Sequence, residues 1–200
     1  MASAKTTHPA RYRVYQFLLA FKASLPAWAG GVKGRLSVQD EALVNAILPV
    51  PDQQQLFGRM APNDQRHAVA VARTLQAAGY VDPALLQAAL LHDVAKSLGQ
   101  PIIHRVLIVL FEAFWPAALA RLSASSSSAA SWTGPNVSWW RRPFVVHAHH
   151  AAIGADWARS ADCDPLAVSL IARHQDKLPP DPLGPAEKLL ATLQWADNLN

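Results

Sequence analysis

The stretch that most constrains this chain is Leu85–Lys96, LLQAALLHDVAK, where apolar helical positions pass without interruption into a histidine–aspartate pair. Leu85, Ala89, His92 and Lys96 are spaced i, i+4, i+7 and i+11, so an amphipathic helix would carry them on one face. Leu86, Leu90, Asp93 and Ser97 form the adjoining stripe. His92 and Asp93, about 100° apart, therefore both turn toward the side the leucines bury. An ionised carboxylate in an apolar interior costs on the order of several kcal/mol unless something pairs with it. A metal ion satisfies an imidazole and a carboxylate side by side. Such a dipeptide also occurs by chance, so the metal reading requires further ligands at helical positions elsewhere.

The chain has room for them. Its 200 residues, 51% hydrophobic and 16% charged, suit one domain with a substantial core rather than a disordered chain. The net charge of +4 favours anionic ligands such as phosphates but is too small to argue for nucleic acid. The lone Cys163 excludes an intramolecular disulfide and a cysteine-based zinc framework, and a reducing cytoplasm is the expected compartment. Any metal must then be held by histidine and carboxylate, and eight histidines are present. Val14–Phe21 is short for a signal-peptide core and contains Gln16, so no cleaved leader is expected. The longest apolar region, Ile102–Leu122, is interrupted by His104, Arg105, Glu112, Pro116 and Arg121. That pattern does not span a bilayer, although peripheral membrane contact through 102–142 stays open.

Helical signals recur along the chain. A helix is expected over Arg11–Leu25, and Ser37 with Asp40 three residues on makes a capping box opening Val38–Leu48, with Pro49 and Pro51 stopping it. A short helix through Gln53–Met60 follows. Asn63–Ala78 is amphipathic, with His67, Val71, Leu75 and Ala78 on one face and Gly79 closing it. Asp82–Pro83 starts the helix of the histidine–aspartate pair, which Gly99 ends, and Asp164–Pro165 repeats the device for a helix to about His174. Between them lie an apolar helix bent or broken at Pro116, a low-complexity Ser/Ala tract at Ser123–Ser131, and a helical region opened by Pro143. Arg141 and Arg142 beside Trp139 and Trp140 read as a basic loop anchored by core aromatics, with an anionic partner as the alternative. Ala186–Leu199 is the last helix. The sequence ends three residues after Asp197, and if that terminus is natural the last helix is expected to be held by packing alone. No run alternates with period two over strand length, and the chain is read as all-α.

Six candidate ligands emerge: His67, His92, Asp93, His150, His174 and Asp197. Each sits at or near a position continuous with an apolar helical face, and Asp197 follows Leu190 and Leu193 at helical spacing. His149 could substitute for His150, and His147 is read as structural or surface. Imidazoles outnumbering carboxylates favour one or two divalent transition ions, Mn, Fe, Co or Ni, over Mg.

The order His … His-Asp … His … His … Asp resembles the HD superfamily of metal-dependent phosphohydrolases. Its landmarks are RHAVAVA around His67, LLHDVAK around His92–Asp93, HHAAIGA around His150, IARHQD at His174 and WADNLN at Asp197. LHDVAK and H-x-x-x-G-A resemble the subset with HDIG-type motifs and a second metal, and the layout is similar to small bacterial diadenosine tetraphosphate hydrolases. The resemblance runs from about Gln65 to the C-terminus and implies an all-α HD-domain helical bundle over 61–200 with a metal site between helices, while residues 1–60 and an insert at about 115–142 match nothing in it. Residues 1–60 then form a helical extension packed on that core. The resemblance implies that His67, His92, Asp93 and Asp197 surround a first metal, with Asp93 bridging to a second held by His150 and His174. It places Lys96 on a substrate phosphate, making Asp93 and Lys96 the catalytic pair. Arg66, His104 and Arg105 are further candidates for substrate contact. The implied reaction is hydrolysis of a phosphoester or phosphoanhydride bond in a nucleotide or another phosphorylated small molecule. A non-catalytic metal- and nucleotide-binding sensor and a di-iron oxygenase of the HD type are the alternatives.

Overall fold

Proline in the first turn starts most of the helices. The computed structural model describes residues 36–98, 102–124, 137–179, 181 and 184–200. Within them lie α1 (Val38–Ile47), α2 (Pro51–Gly58), α3 (Pro62–Ala77), α4 (Pro83–Leu91), a 3-10 segment (Val94–Leu98), α5 (Ile102–Phe114), α6 (Pro116–Ser123), α7 (Arg142–Ser160), α8 (Pro165–Arg173) and α9 (Pro185–Leu199). There is no strand among the described residues, and the protein is all-helical. The helix expected over Arg11–Leu25 and the Ser/Ala tract from 125 onward lie outside them.

Local chemistry accounts for the helix ends. Ser37 Oγ accepts from the Asp40 amide at 3.1 Å while the Asp40 carboxylate accepts from the Ser37 amide at 3.3 Å, completing the capping box. Asp82 and Asp164 cap α4 and α8 by accepting from the Leu85 and Leu166 amides at 2.9 and 2.7 Å. Gly79, at φ +87°, closes α3: its amide donates to Gln76 and that of Tyr80 to Leu75, both at 2.9 Å. These are the two bonds of a Schellman motif, which needs the left-handed residue glycine supplies. Pro51 does not only stop α1, as the sequence suggested. It occupies the first turn of α2, where the missing N–H costs nothing. Trp115 separates α5 from α6 at the expected proline break.

The helix bearing the histidine–aspartate pair departs from expectation in two ways. It is not amphipathic: Ala84, Leu85, Leu86, Ala88, Ala89, Leu90 and Leu91 are all buried, so α4 is enclosed on every side. Its neighbours are α1, α2, α3, α8 and α9. Nor does it run on to Gly99. The α-helix ends at Leu91, His92 is its C-cap, and the chain tightens into the 3-10 segment. In that tighter winding residues three apart eclipse. Lys96 therefore stands over Asp93 instead of sharing a face with His92.

Residues 36–60 join the same core, with Val44, Leu48, Leu56, Phe57 and Met60 in one apolar cluster with α3, α4, α8 and α9. α7 packs along both α8 and the 3-10 segment. Gly154 permits this approach, because a Cβ there would lie 3.3 Å from Val94 Cγ1 and 3.5 Å from Ile171 Cγ2. α9 is held by more than packing: Asn200 Nδ2 donates to Thr74 Oγ1 at 3.0 Å, and Gln194 Nε2 donates to the carbonyls of His174 and Asp176 at 2.9 and 2.8 Å. No described helix is long and apolar enough to cross a membrane.

Candidate metal centre

The fold brings all six predicted ligands together. α3 supplies His67, the end of α4 supplies His92 and Asp93, α7 supplies His150, the end of α8 supplies His174, and α9 supplies Asp197. Asp93 lies between two groups. His67, His92 and Asp93 place ligand atoms within 4.8 Å of one another, and so do Asp93, His150 and His174. Asp93 Oδ2 is 3.5 Å from His92 Nε2, whereas Oδ1 is 3.5 Å from His150 Nε2 and 3.8 Å from His174 Nε2. Asp197 Oδ1 adds to the first group, 2.9 Å from His67 Nε2 and 3.5 Å from His92 Nε2.

Backbone carbonyls fix how three of these rings are protonated. His92 Nδ1 donates to Ala89 O at 3.0 Å, His150 Nδ1 to His147 O at 2.6 Å, and His174 Nδ1 to Ile171 O at 2.8 Å. A carbonyl can only accept, so each Nδ1 carries the hydrogen and each neutral ring turns its Nε2 lone pair inward. In the neutral rings those lone pairs face carboxylate oxygens, acceptor against acceptor, an opposition that a proton or a cation relieves. His92 Nε2 and His150 Nε2 are buried without a hydrogen-bond partner among the described residues. Two ligands about 2.1 Å from one tetrahedral ion stand about 3.4 Å apart, close to the 3.5 Å separations here. The donor set, its spacing and its orphaned nitrogens fit a divalent transition ion, and this buried His/Asp group can hold one.

The charges are tuned consistently. Burial opposes ionisation of Asp93, but Lys96 and His92 outweigh it and hold its carboxyl well below the usual carboxylate range. Burial likewise works against Asp197, yet its hydrogen bond with His67 and the nearby His92 ring hold that carboxyl well below its ordinary value. For His92, burial disfavours the charged ring, but the adjacent carboxylates, Asp93 first and Asp197 with it, raise it to about 10. A proton thus stands where a cation would otherwise balance two carboxylates. Burial, with the positive His92 beside it, pushes His174 down to about 4.

The two sides of the cluster differ in access. His92, Asp93, His150 and His174 are buried, while the side chains of His67, Asp197 and Lys96 are 27, 35 and 30% exposed. Solvent reaches the cluster past those three. Lys96 Nζ donates to Asp93 Oδ2 at 2.5 Å, so its charge is held at this mouth.

The remaining candidates lie differently. Arg66 reaches Asn63 Oδ1 at 3.4 Å. His104 packs edge-on against Phe144, centroids 5.6 Å apart, and the side chain of Arg105 falls outside the described residues. His149 is only half-buried and His150 takes the ligand position. His147 pairs with Glu112 at 2.9 Å, joining α5 to α7 one turn before His150. The tryptophans near the Ser/Ala tract are not core anchors: Trp115, Trp139 and Trp140 are exposed. Gln194, which holds the His174 carbonyl from α9, escaped the sequence reading. Its one signal was a glutamine one helical turn before Asp197. Compared with known proteins, the chain matches no family model, no curated protein and no solved structure.

Proposed function

We propose that this protein is a metal-dependent phosphohydrolase of the HD type, acting on a phosphoester or phosphoanhydride bond of a nucleotide-like substrate. The observation that carries the reading is the position of Asp93, whose two carboxylate oxygens face separate histidine groups, in each of which one buried Nε2, that of His92 or of His150, has no hydrogen-bond partner. The order of ligands along the chain, with its resemblance to the HD superfamily, supports the same reading. His67, His92, Asp93 and Asp197 would hold one ion, and Asp93, His150 and His174 a second. When bound, such cations would supply Lewis-acid polarisation of phosphoryl oxygens and activation of water.

The chain's own groups do the rest. The Nδ1–H bonds to Ala89, His147 and Ile171 keep three imidazoles in the tautomer and orientation that present Nε2 inward. Lys96 keeps a positive charge beside Asp93 at the solvent-facing mouth, where it would bind a substrate phosphate and stabilise the added charge of the transition state. The leucines of α4 and the close approach at Gly154 enclose the deep side of the cluster, and burial in such a surrounding strengthens each electrostatic contact there.

Elemental analysis of the wild type and of Asp93→Ala, with phosphate release from a panel of nucleotides under Mn or Co, tests this reading. Near-stoichiometric metal that is lost in Asp93→Ala, with turnover of a panel member, is the expected result. Metal without turnover would shift the reading to a sensor or, if an iron-loaded sample consumes oxygen, to an oxygenase. No metal under any loading condition would overturn it.

A further inference from the structure

α5 has two unlike faces. Its inner face packs on α7: Ile108 is buried, Phe111 lies with its ring centroid 6.0 Å from that of Phe144, and Glu112 bonds His147. Its outer face is also apolar. Leu107, Leu110 and Phe114, at i, i+3 and i+7, remain 36, 41 and 60% exposed among the described residues. Trp115 extends the stripe, 63% exposed with its ring centroid 6.3 Å from that of Phe114. At the entry to α7, Trp139 and Trp140 are exposed as well. The Arg141 guanidinium fastens their turn to the end of α6 by donating to the carbonyls of Arg121, Leu122 and Ala124.

Charge selects among occupants for this surface. Over residues 102–142 the chain carries four arginines, Arg105, Arg121, Arg141 and Arg142, against one acid, Glu112, which is bonded to His147. Arg121 and Arg142 are exposed. A second copy would set one arginine-rich surface against another, whereas an anionic surface complements it. Exposed tryptophans beside arginines suit the headgroup level of a bilayer, where the ring is buried and the polar edge stays hydrated. The acidic headgroups attract the guanidinium groups.

We propose that the outer face of α5, with Trp115, Trp139 and Trp140, docks this protein on an anionic lipid surface, α5 lying in the plane of the headgroups. This does not depend on the metal reading. The test is flotation of the full chain with vesicles of phosphatidylcholine alone and of an equal mixture of phosphatidylcholine and phosphatidylglycerol. Three double variants accompany it: Leu110→Glu/Phe114→Glu, Trp139→Ala/Trp140→Ala and Arg121→Gln/Arg142→Gln, each checked for wild-type thermal unfolding. Binding to the mixed vesicles, weakened by salt and reduced about tenfold or more in each variant, is expected. If the glutamate variant does not fold, the other two decide, since their side chains are exposed. Absence of binding to the mixed vesicles would overturn the proposal, and so would wild-type binding by the variants. A lipid-free dimer that the glutamate variant converts to monomer would overturn it too, making a second copy the occupant.

Discussion

Asp93 Oδ1 stands 3.5 Å from His150 Nε2, across a gap between two acceptors, because the other nitrogen of His150 already donates to a backbone carbonyl. The same carboxylate faces His92 with its other oxygen. The arrangement assigns different consequences to different ligand deletions. His150→Ala should remove one ion equivalent and leave the His67–His92–Asp197 side loaded, whereas Asp93→Ala should empty both. Metal titration followed by elemental analysis measures this, and equal losses in the two variants would argue for a single ion shared by all six residues.

The metal-free protein should be most stable in a window near neutral pH. His174, pushed down to about 4 in the fold, stays neutral there while the unfolded ring titrates near 6.5. Unfolding therefore takes up a proton, and stability falls as pH drops from about 6.5 toward about 4. His92, raised to about 10, works in the opposite sense: its contribution is complete below about 6.5 and is lost as pH rises toward about 10. Denaturant melts in the presence of a chelator across this range should trace a dome. A flat profile would show that neither ring titrates as its surroundings dictate.

Gly154 lets α7 lie close against the 3-10 segment, where a Cβ would stand 3.3 Å from Val94 Cγ1. Gly154→Val overfills that contact and should destabilise by about 1–3 kcal/mol, partly offset by the better helix propensity of a residue with a side chain. Because the displaced segment adjoins Asp93, metal affinity should fall as well. Urea unfolding and metal titration on the same sample separate the two effects, and unchanged affinity would mean that Asp93 is positioned independently of this packing.

Gln194→Ala removes two hydrogen bonds, to the carbonyls of His174 and Asp176. A loss of about 1–2 kcal/mol in stability is expected. If Gln194 only stabilises α9, metal content stays at the wild-type level. If it also places His174, the ion shared by Asp93, His150 and His174 is lost first.

Features held by bonds between near neighbours could be read directly from the sequence. The Ser37–Asp40 box, the Asp82 and Asp164 caps and the Gly79 closure each need only residues within one turn, and each forms as expected. The candidate ligands were legible for a related reason. A histidine or aspartate that continues a leucine stripe is committed to the interior by the same periodicity that buries the leucines. Where that periodicity was followed too far, it misled. LLHDVAK has the composition of a continuing helix, yet the chain tightens after Leu91 and stacks Lys96 over Asp93. Trp139 and Trp140 likewise offered large apolar surfaces, but composition does not say whether a core is there to receive them.

The sequence by itself determined most of the described helices, their caps, and that His92, Asp93, His150 and His174 turn inward, because those properties depend on hydrogen bonds and spacing within a few residues. Only the tertiary structure decided that His67 meets Asp197 across 130 positions of chain, and that Asp93 divides its two oxygens between separate histidine groups. It also left the outer face of α5 without a cover among the described residues. Those outcomes depend on how enclosed α4 draws α3, α8 and α9 around it, with α7 close along the 3-10 segment. Packing at that range is set by the shapes of all the faces together, and no local run of residues encodes it.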